Sequence, residues 1–418
     1  GISFVINCFV NQLNVVIADE MGLGKTLQAI CIMQWITDAI KSGTWPTPSA
    51  GPKAHLVVVP LSVMEGWRKE FSRWSTLKVA LMHGNKARLN ELKDIVTDAD
   101  VVLTTYEVLL NEETFFRSKR WQCFVIDEAH RIKNPKSIQR AVVGKIFCQH
   151  RLCLTGTPFN NNLQEIWSIL SFLYPNIFTP DTISEFSDAD KEKNERSKAD
   201  MSSHIGKLLR LFVIRRTKND VPEFLSIPPK KEYRISIPLT TVQRDAYLNA
   251  ILYRTLGDYL TTSAKLICLE KIIDEVVIKG NRKLIIFSCF KDNLSCVEDL
   301  LACVFQDRKT HDWLRLDGDL KRCTRNLYIR LFSDPNTAFK VLLCTTKAGG
   351  EGINLVSAQD VVMLDDSFNP QADLQAEARA HRKGQLGEVR VYRLTTRGTI
   401  EEQGLARYYQ KLATSKKI

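Results

Sequence analysis

Gly22, Gly24, Lys25 and Thr26 stand in ADEMGLGKTLQAI, residues 18–30, between the apolar run Val15-Val16-Ile17 and a run with helical periodicity. Glycines let backbone N–H groups turn inward around a phosphate, and the N-terminus of a following helix adds partial positive charge. In that role Lys25 reaches the terminal phosphates of a nucleotide, and Thr26 offers a hydroxyl to Mg²⁺. The full phosphate-loop pattern has a further glycine where this chain has Asp19, so the stretch by itself also fits a plain tight turn. A second stretch, FVIDEAH at 124–130, ends an apolar run in Asp127-Glu128. Carboxylates there complete a magnesium shell and orient or deprotonate an attacking water. They also fit an ordinary helix N-terminus, but with Lys25-Thr26 upstream the metal-and-water reading is preferred. In a third stretch, QAEARAHRKGQ at 375–385, helical spacing would put Arg379 and Arg382 on one face. These are either solvated surface charge or guanidinium groups that neutralise charge developing on a γ-phosphate. The first part of the chain shows no obvious arginine for that task.

The elements that must carry these residues are visible as short β-branched runs alternating with helical patterns. Over the first 180 residues or so, apolar runs occur at Val15–Ile17, Leu56–Val59, Val79–Leu81, Val101–Leu103, Phe124–Ile126 and Leu152–Leu154. After the break they resume at Leu284–Phe287, Leu314–Leu316, Val341–Leu343, Val361–Leu364 and Val389–Tyr392. Short, almost wholly apolar strands mark parallel sheets covered by helices on both faces. The helix after Lys25 is expected to bury Leu27, Ile30, Cys31 and Trp35. Residues 186–202 are polar and mixed in charge and read as a linker, and 203–262 read as helical and basic. The chain therefore divides into a first lobe at 1–205, a connecting region at 206–262 and a second lobe at 263–418.

Bulk properties narrow the partners. With 58 Lys and Arg against 47 Asp and Glu, the formal charge is +11, which favours a polyanion, nucleic acid first. No apolar run reaches the roughly 18 residues of a membrane span. The opening GISFVINCFVNQLN lacks a basic segment, so it is read as the interior of a longer chain and not as a signal peptide. The 11 cysteines include no C-x-x-C and read as reduced core thiols, with no zinc site. Trp67, Trp74, Trp121 and Trp167 are read as packing residues. The other histidines carry no evident chemistry, while His130 and His381 are expected to serve hydrogen bonds between the lobes.

Taken together, DEMGLGKT, DEAHRIKN, LTGTPFNNNLQEIWSIL, TTKAGGEGINL, NPQADLQA and RAHRKGQ, in this order, resemble the SWI/SNF-like group of superfamily-two double-stranded-DNA translocases and chromatin remodellers. The resemblance runs from about residue 1 to 405. Ala378, where most of the group is acidic, points to the amplified-in-liver-cancer type, with the imitation-switch type beside it. The resemblance implies an α/β fold of two tandem RecA-like lobes with parallel sheets and helical insertions between them. It implies an ATP- and Mg²⁺-dependent motor in the nucleus, stimulated by duplex DNA and nucleosomes with their histones, with regulatory domains or subunits elsewhere and no membrane attachment.

The same resemblance assigns further roles. Thr155, Gly156 and Thr157 couple the ATP site to the nucleic-acid site. Pro60, Ser62, Thr104 and Thr105 in the first lobe, and Ser288, Thr345, Thr346 and Lys347 in the second, contact one DNA strand through its phosphates. Gly350 and Gly352 let the backbone approach the nucleotide, and Gln375 opens the arginine-finger motif. Residues 208–221, LLRLFVIRRTKNDV, resemble a brace between the lobes; Arg215, Arg216 and Lys218 there are either a solvated basic face or an inhibitory or DNA-facing element. Three features depart from the group. The upstream glutamine motif that contacts adenine is missing, a leucine-arginine-lysine and cysteine-asparagine-histidine-proline segment expected after residue 260 is absent, and Lys383 replaces isoleucine. No stretch resembles a chromodomain, bromodomain, macro domain or SANT-like module. Two rival readings are a strand-separating DNA or RNA helicase and a catalytically silent chromatin-binding scaffold.

Overall fold

Short strands of Val, Ile and Leu with no exposed residue can persist only where both faces are covered. The computed structural model shows this at β1 (Val15–Ile17), β2 (His55–Val59) and β4 (Val101–Thr105), where every residue is buried. The structure describes residues 1–45, 54–156, 163–179, 209–220, 228–245, 263–305, 312–349, 353–367 and 369–416. They form two compact units that divide at Pro222 and Glu223, with the last residues from Thr414 grouped with the first unit.

In the first unit β1, β2 and β4 join β3 (Val79–Met82), β5 (Arg120–Asp127), β6 (Phe147–Leu154) and β7 (Val213–Ile214). The sheet order is β3-β4-β2-β5-β6-β1-β7, with parallel pairing throughout. Successive residues feed opposite faces, as the pleat requires. Val16 and Ala18 enter one core with Phe124 and Phe172, whereas Val15 and Ile17 enter the other with Ile30, Met33 and Trp67.

The second unit has β8 (Lys230–Ile237), β9 (Leu284–Ser288), β10 (Asp312–Leu316), β11 (Phe339–Thr345), β12 (Asp360–Met363) and β13 (Val389–Thr396). Their order is β10-β11-β9-β12-β13-β8, again all parallel. Leu284 and Ile286 pack into one core, Ile285 and Phe287 into the other. Both units are thus parallel α/β sheets with helices on each face, as the sequence pattern requires.

Three details differ from the sequence reading. The stretch from 203 on, read as helical, contributes β7 to the first sheet and β8 to the second, and β8 pairs with β13 along its whole length, Lys230 with Val389 through Ile237 with Thr396. Helix Lys25–Lys41 buries Ala29, Ile30, Ile32, Met33, Ile36, Thr37 and Ala39, whereas Leu27 and Cys31 are half-buried and Trp35 is exposed. Its inward stripe is turned from the expected one because the helix is covered by sheet on one side and by helices Ile2–Val10 and Leu61–Trp74 on others. Trp67, Trp121 and Trp167 are core residues, but Trp74 is 46% exposed at the end of its helix, where Nε1 donates to Glu70. The polar stretch at 186–202 lies outside the described residues.

Candidate nucleotide-binding site

The register of the first sheet sets three chain segments at one level. Ile17 of β1 pairs with Leu154 of β6, and Leu154 pairs with Asp127 of β5. The glycine-rich loop, the acidic pair and Thr155-Gly156 therefore all leave adjacent strands at their carboxyl ends, the edge where open parallel sheets bind ligands.

The loop has the conformation its glycines permit. Gly22 has φ 90° and Gly24 φ 74°, left-handed values that only glycine adopts without strain. Gly24 sits before helix Lys25–Lys41, so the free N–H groups of the first helical turn face the loop. Nζ of Lys25 donates to the carbonyl of Asp19 at 2.7 Å and that of Glu20 at 3.4 Å. The ammonium is therefore held inside the loop, and Thr26 follows it in the first turn.

Asp127 is held from three sides. Nε1 of Trp67 donates to Oδ2 at 2.8 Å, the amide of Glu128 donates to Oδ1 at 2.9 Å, and the phenol of Tyr106 donates to the Asp127 carbonyl at 2.7 Å. Burial pushes the Asp127 carboxyl up to about 6, with the neighbouring Glu128 charge adding to the rise; Trp67 and the Lys25 ammonium oppose it. Glu128 has φ 55°, which costs a non-glycine residue of order 1 kcal/mol or more and turns the chain sharply out of β5. Its Oε2 lies 3.2 Å from Nδ1 of His130. His381 Nε2 lies 2.9 Å from the Pro228 carbonyl; this contact and that of His130 each lie within one unit.

Thr155 continues the ladder, its amide donating to Ile17 O at 3.0 Å. A Cβ built on Gly156 would stand 2.7 Å from Met21 Cγ and Cε and 3.4 Å from Lys25 Nζ. Gly156 thus closes on the glycine-rich loop itself, while Thr157 lies outside the described residues. Thr26, in the first turn of helix Lys25–Lys41, and Asp127, at the end of β5, offer hard oxygen donors. That suits Mg²⁺, which takes one or two protein oxygens and fills the rest of its octahedron with water and substrate phosphates. A buried carboxylate whose charged form is disfavoured is also a fitting partner for a cation. Among the described residues no group of three or more His, Cys, Asp or Glu could hold a metal by itself.

In the second unit, Thr345 of β11 pairs with Ser288 of β9, and Leu316 of β10 with Cys344, so these segments also share one edge. Their side chains are turned inward. Ser288 is fully buried and its hydroxyl donates to Asp365; Thr345 Oγ1 accepts from the Ala348 amide at 3.3 Å; Thr346 is 3% exposed. In the first unit, Thr104 donates to Met82 O at 2.9 Å, and Thr105 caps the next helix by accepting from Val108 N at 3.3 Å. Pro60 is buried, Ser62 half-buried and Lys347 exposed.

Helix Pro370–Glu377 carries Gln375 and ends before the two arginines. Amide contacts from Arg379 to Ala376, Ala380 to Glu377 and Arg382 to Ala380 wind residues 378–382 into tight turns, and Leu355 N takes the Arg379 carbonyl. Arg379 and Arg382 therefore do not share a helical face; both are half-buried in successive turns. Gly350 and Gly352 lie outside the described residues. Sequence reasoning missed Trp67 as an Asp127 partner, because sixty residues separate them and tryptophan spacing carries no such signal.

The description of an SNF2-related domain matches residues 1–309, and that of a helicase conserved C-terminal domain matches 264–384. The chain belongs to the SNF2-related family. Among SNF2-related proteins it is 35% identical over 462 aligned positions to the ISWI chromatin-remodeling complex ATPase ISW2 of Saccharomyces cerevisiae, covering 99% of this chain and 40% of that protein. It is 34% identical over 458 positions to human SWI/SNF-related matrix-associated actin-dependent regulator of chromatin subfamily A member 1, covering 99% and 42%. The chain thus spans about two fifths of the length of these relatives. Both alignments are longer than the 418-residue chain, so SNF2-related proteins of this kind carry residues it lacks. A solved structure titled Sulfolobus solfataricus SWI2/SNF2 ATPase core in complex with dsDNA is 28% identical, covers 99% of this chain and 92% of that one, and has a TM-score of 0.48.

Proposed function

We propose that this chain is the ATP-hydrolysing motor of a chromatin remodeller, a nuclear enzyme that steps along duplex DNA on nucleosomes. The observation that carries the reading is the Ile17–Leu154–Asp127 register, which gathers the glycine loop, the acid pair and Gly156 at one strand edge. The +11 charge and the relatives named as chromatin-remodelling ATPases support the choice of partner.

In this reading the loop amides and Lys25 hold the phosphates, and Gly350, Gly352 and Gln375 line the nucleotide from the second unit. Thr26 and Asp127 hold Mg²⁺, which supplies charge neutralisation on the phosphates. Glu128, turned out of β5 by its left-handed backbone, orients the attacking water and accepts its proton. Arg379 and Arg382 offset charge on the γ-phosphate when the units close, which makes hydrolysis depend on closure. Thr155, Gly156 and Thr157 pass that dependence to the DNA site. There Pro60, Ser62, Thr104, Thr105, Ser288, Thr345, Thr346 and Lys347 meet phosphates. Because most of those hydroxyls are engaged internally, backbone amides at the strand ends and Lys347 carry the grip.

Phosphate release measured side by side with no nucleic acid, RNA, naked duplex and nucleosomes tests the proposal. Stimulation by duplex and nucleosomes, lost on raising salt several-fold and abolished in Lys25→Ala, is the expected pattern. Stimulation by RNA alone together with efficient strand separation would transfer the chain to the helicase reading, and activity unchanged in Lys25→Ala would remove the site.

A further inference from the structure

The place where the phosphate-loop pattern has its first glycine is taken here by a carboxylate with no solvent exposure, Asp19. Its partner, Arg216, comes 197 residues later. Nε of Arg216 donates to Oδ1 at 3.1 Å and Nη2 to Oδ2 at 2.5 Å, and the Arg216 amide adds a third bond to Oδ1 at 3.1 Å. Gln28 completes the cluster, donating from Nε2 to Asp19 Oδ2 at 3.0 Å and accepting from Arg216 Nη2 at 2.8 Å. A forked guanidinium–carboxylate pair of this kind fixes orientation as well as charge.

The backbone follows the side chains. Beyond the last β1–β7 pair, Ala18 N donates to Ile214 O and Glu20 N to Arg216 O, each at 2.8 Å, and Lys218 N donates to Glu20 Oε2 at 2.8 Å. Residues 213–216 therefore run strand-like beside the loop, and a short 3-10 helix, Lys218–Asp220, follows. The two loop carbonyls that hold Lys25 Nζ belong to Asp19 and Glu20, the residues this segment grips. The segment is also the chain's route into the second unit, which begins at Glu223.

We propose that Arg216 is a positioning residue of the nucleotide site, and that docking of residues 213–218 and nucleotide binding reinforce one another. The proposal rests on the nucleotide reading above. Its physical basis is that the loop's shape is determined from outside the loop. Removing the guanidinium leaves a buried carboxylate without its main counter-charge and frees the peptides that place Lys25. By linkage, a bound nucleotide then strengthens docking of the segment by the factor by which docking strengthens nucleotide binding.

The test is titration of fluorescent mant-ADP with Mg²⁺ into wild type, Arg216→Gln, Arg216→Lys, Asp19→Asn, the double variant Asp19→Asn/Arg216→Gln, and Lys25→Ala, with urea unfolding of each. Arg216→Gln should weaken mant-ADP about tenfold. Arg216→Lys, which keeps the charge and loses the fork, should lie between it and wild type. The double variant, a neutral amide pair, should recover to within about threefold of wild type. If Arg216→Gln proves too unstable to assay, the lysine and double variants carry the same comparison. Unchanged affinity in the Arg216 variants, or additive losses in the double variant, would overturn the proposal when Lys25→Ala still loses binding. Unchanged affinity in Lys25→Ala as well would overturn the nucleotide reading beneath it.

Discussion

Nε1 of Trp67 donates a 2.8 Å hydrogen bond to Oδ2 of Asp127, so a core tryptophan 2% exposed fixes the orientation of the carboxylate proposed to hold Mg²⁺. Outer-shell donors of this kind typically change metal affinity 10–100-fold when removed. Trp67→Phe keeps an aromatic ring beside Phe71, whose ring centroid lies 5.9 Å from that of Trp67, and removes the donor together with part of the buried indole volume. The expected outcome is an increase of about tenfold in the Mg²⁺ concentration for half-maximal ATP hydrolysis, beyond a lowered urea midpoint from the lost core volume. An unaltered magnesium requirement would remove Trp67 from the site.

Gly156 offers a second probe. The methyl group of Gly156→Ala would press on Met21, 2.7 Å from its Cγ and Cε, and come within 3.4 Å of Lys25 Nζ. Met21 can shift, so folding should be nearly unaffected. Displacement of a group at the proposed nucleotide site by a fraction of an ångström is costly, and maximal ATP turnover should fall about tenfold or more. Steady-state kinetics with a parallel thermal melt separates the two effects; a normal turnover would show that the loop absorbs the methyl group without cost.

What the sequence made legible follows from burial. Each all-apolar run became a strand because helices cover both faces, and the acid pair and glycine loop were readable because their context, strand before and helix or turn after, is local. Lys230–Ile237 was not readable. It is an edge strand with mostly exposed and half-buried residues, so it shows charge where the other strands show Val and Ile, and its partner β13 begins far along the chain at Val389. The helical-face argument for Arg379 and Arg382 failed because the helix stops at Glu377, a buried residue paired with Arg393. The Asp19–Arg216 pair was invisible for the same reason as Trp67–Asp127: side-chain partners brought together by strand order leave no spacing in the sequence.

Two histidines of the first unit make its stability depend on pH. Burial lowers both His55 and His150 from 6.5 to about 4; Asp100 partly offsets this for His55, and His150 adds to it. His55 Nε2 bonds Thr37 Oγ1 at 3.0 Å, and His150 stacks on Phe9 with centroids 4.5 Å apart. For a base with a depressed folded pKa, the unfolded chain takes up protons first. The stability is complete above the unfolded value of 6.5 and is lost as pH falls toward 4. Between pH 7.5 and 5 each should cost about 2 kcal/mol. Urea unfolding across that range should show the decline, and His150→Phe should make it shallower. A slope unchanged by this substitution would mean that His150 is protonated in the native state.

Arg393 is the corresponding anchor of the second unit. It is 2% exposed, bonded to Glu377 through Nη2 and to Asp366 through Nη1 at 2.7 Å, with Asp373 at 3.5 Å from Nη1. Glu377 also takes Lys230 Nζ at 2.8 Å, so this cluster ties edge strand β8 to the end of helix Pro370–Glu377, directly before Arg379. Arg393→Met fills similar volume but leaves the buried Asp373 without its neighbouring guanidinium, while Glu377 keeps Lys230 and Asp366 keeps Arg234; removing one partner of a buried charge costs up to about 3–5 kcal/mol. Asp373, already pushed up to about 6 by burial with Arg393 opposing the rise, would be driven further toward its neutral form. The loss should therefore be larger at pH 8 than at pH 5.5, where protonation relieves part of the unpaired charge. Calorimetric melts at both pH values should show the second unit's transition lowered, more so at pH 8, with the first unit's transition unmoved. A melt lowered equally at the two pH values would mean that the uncompensated Asp373 carboxylate is not the source of the loss.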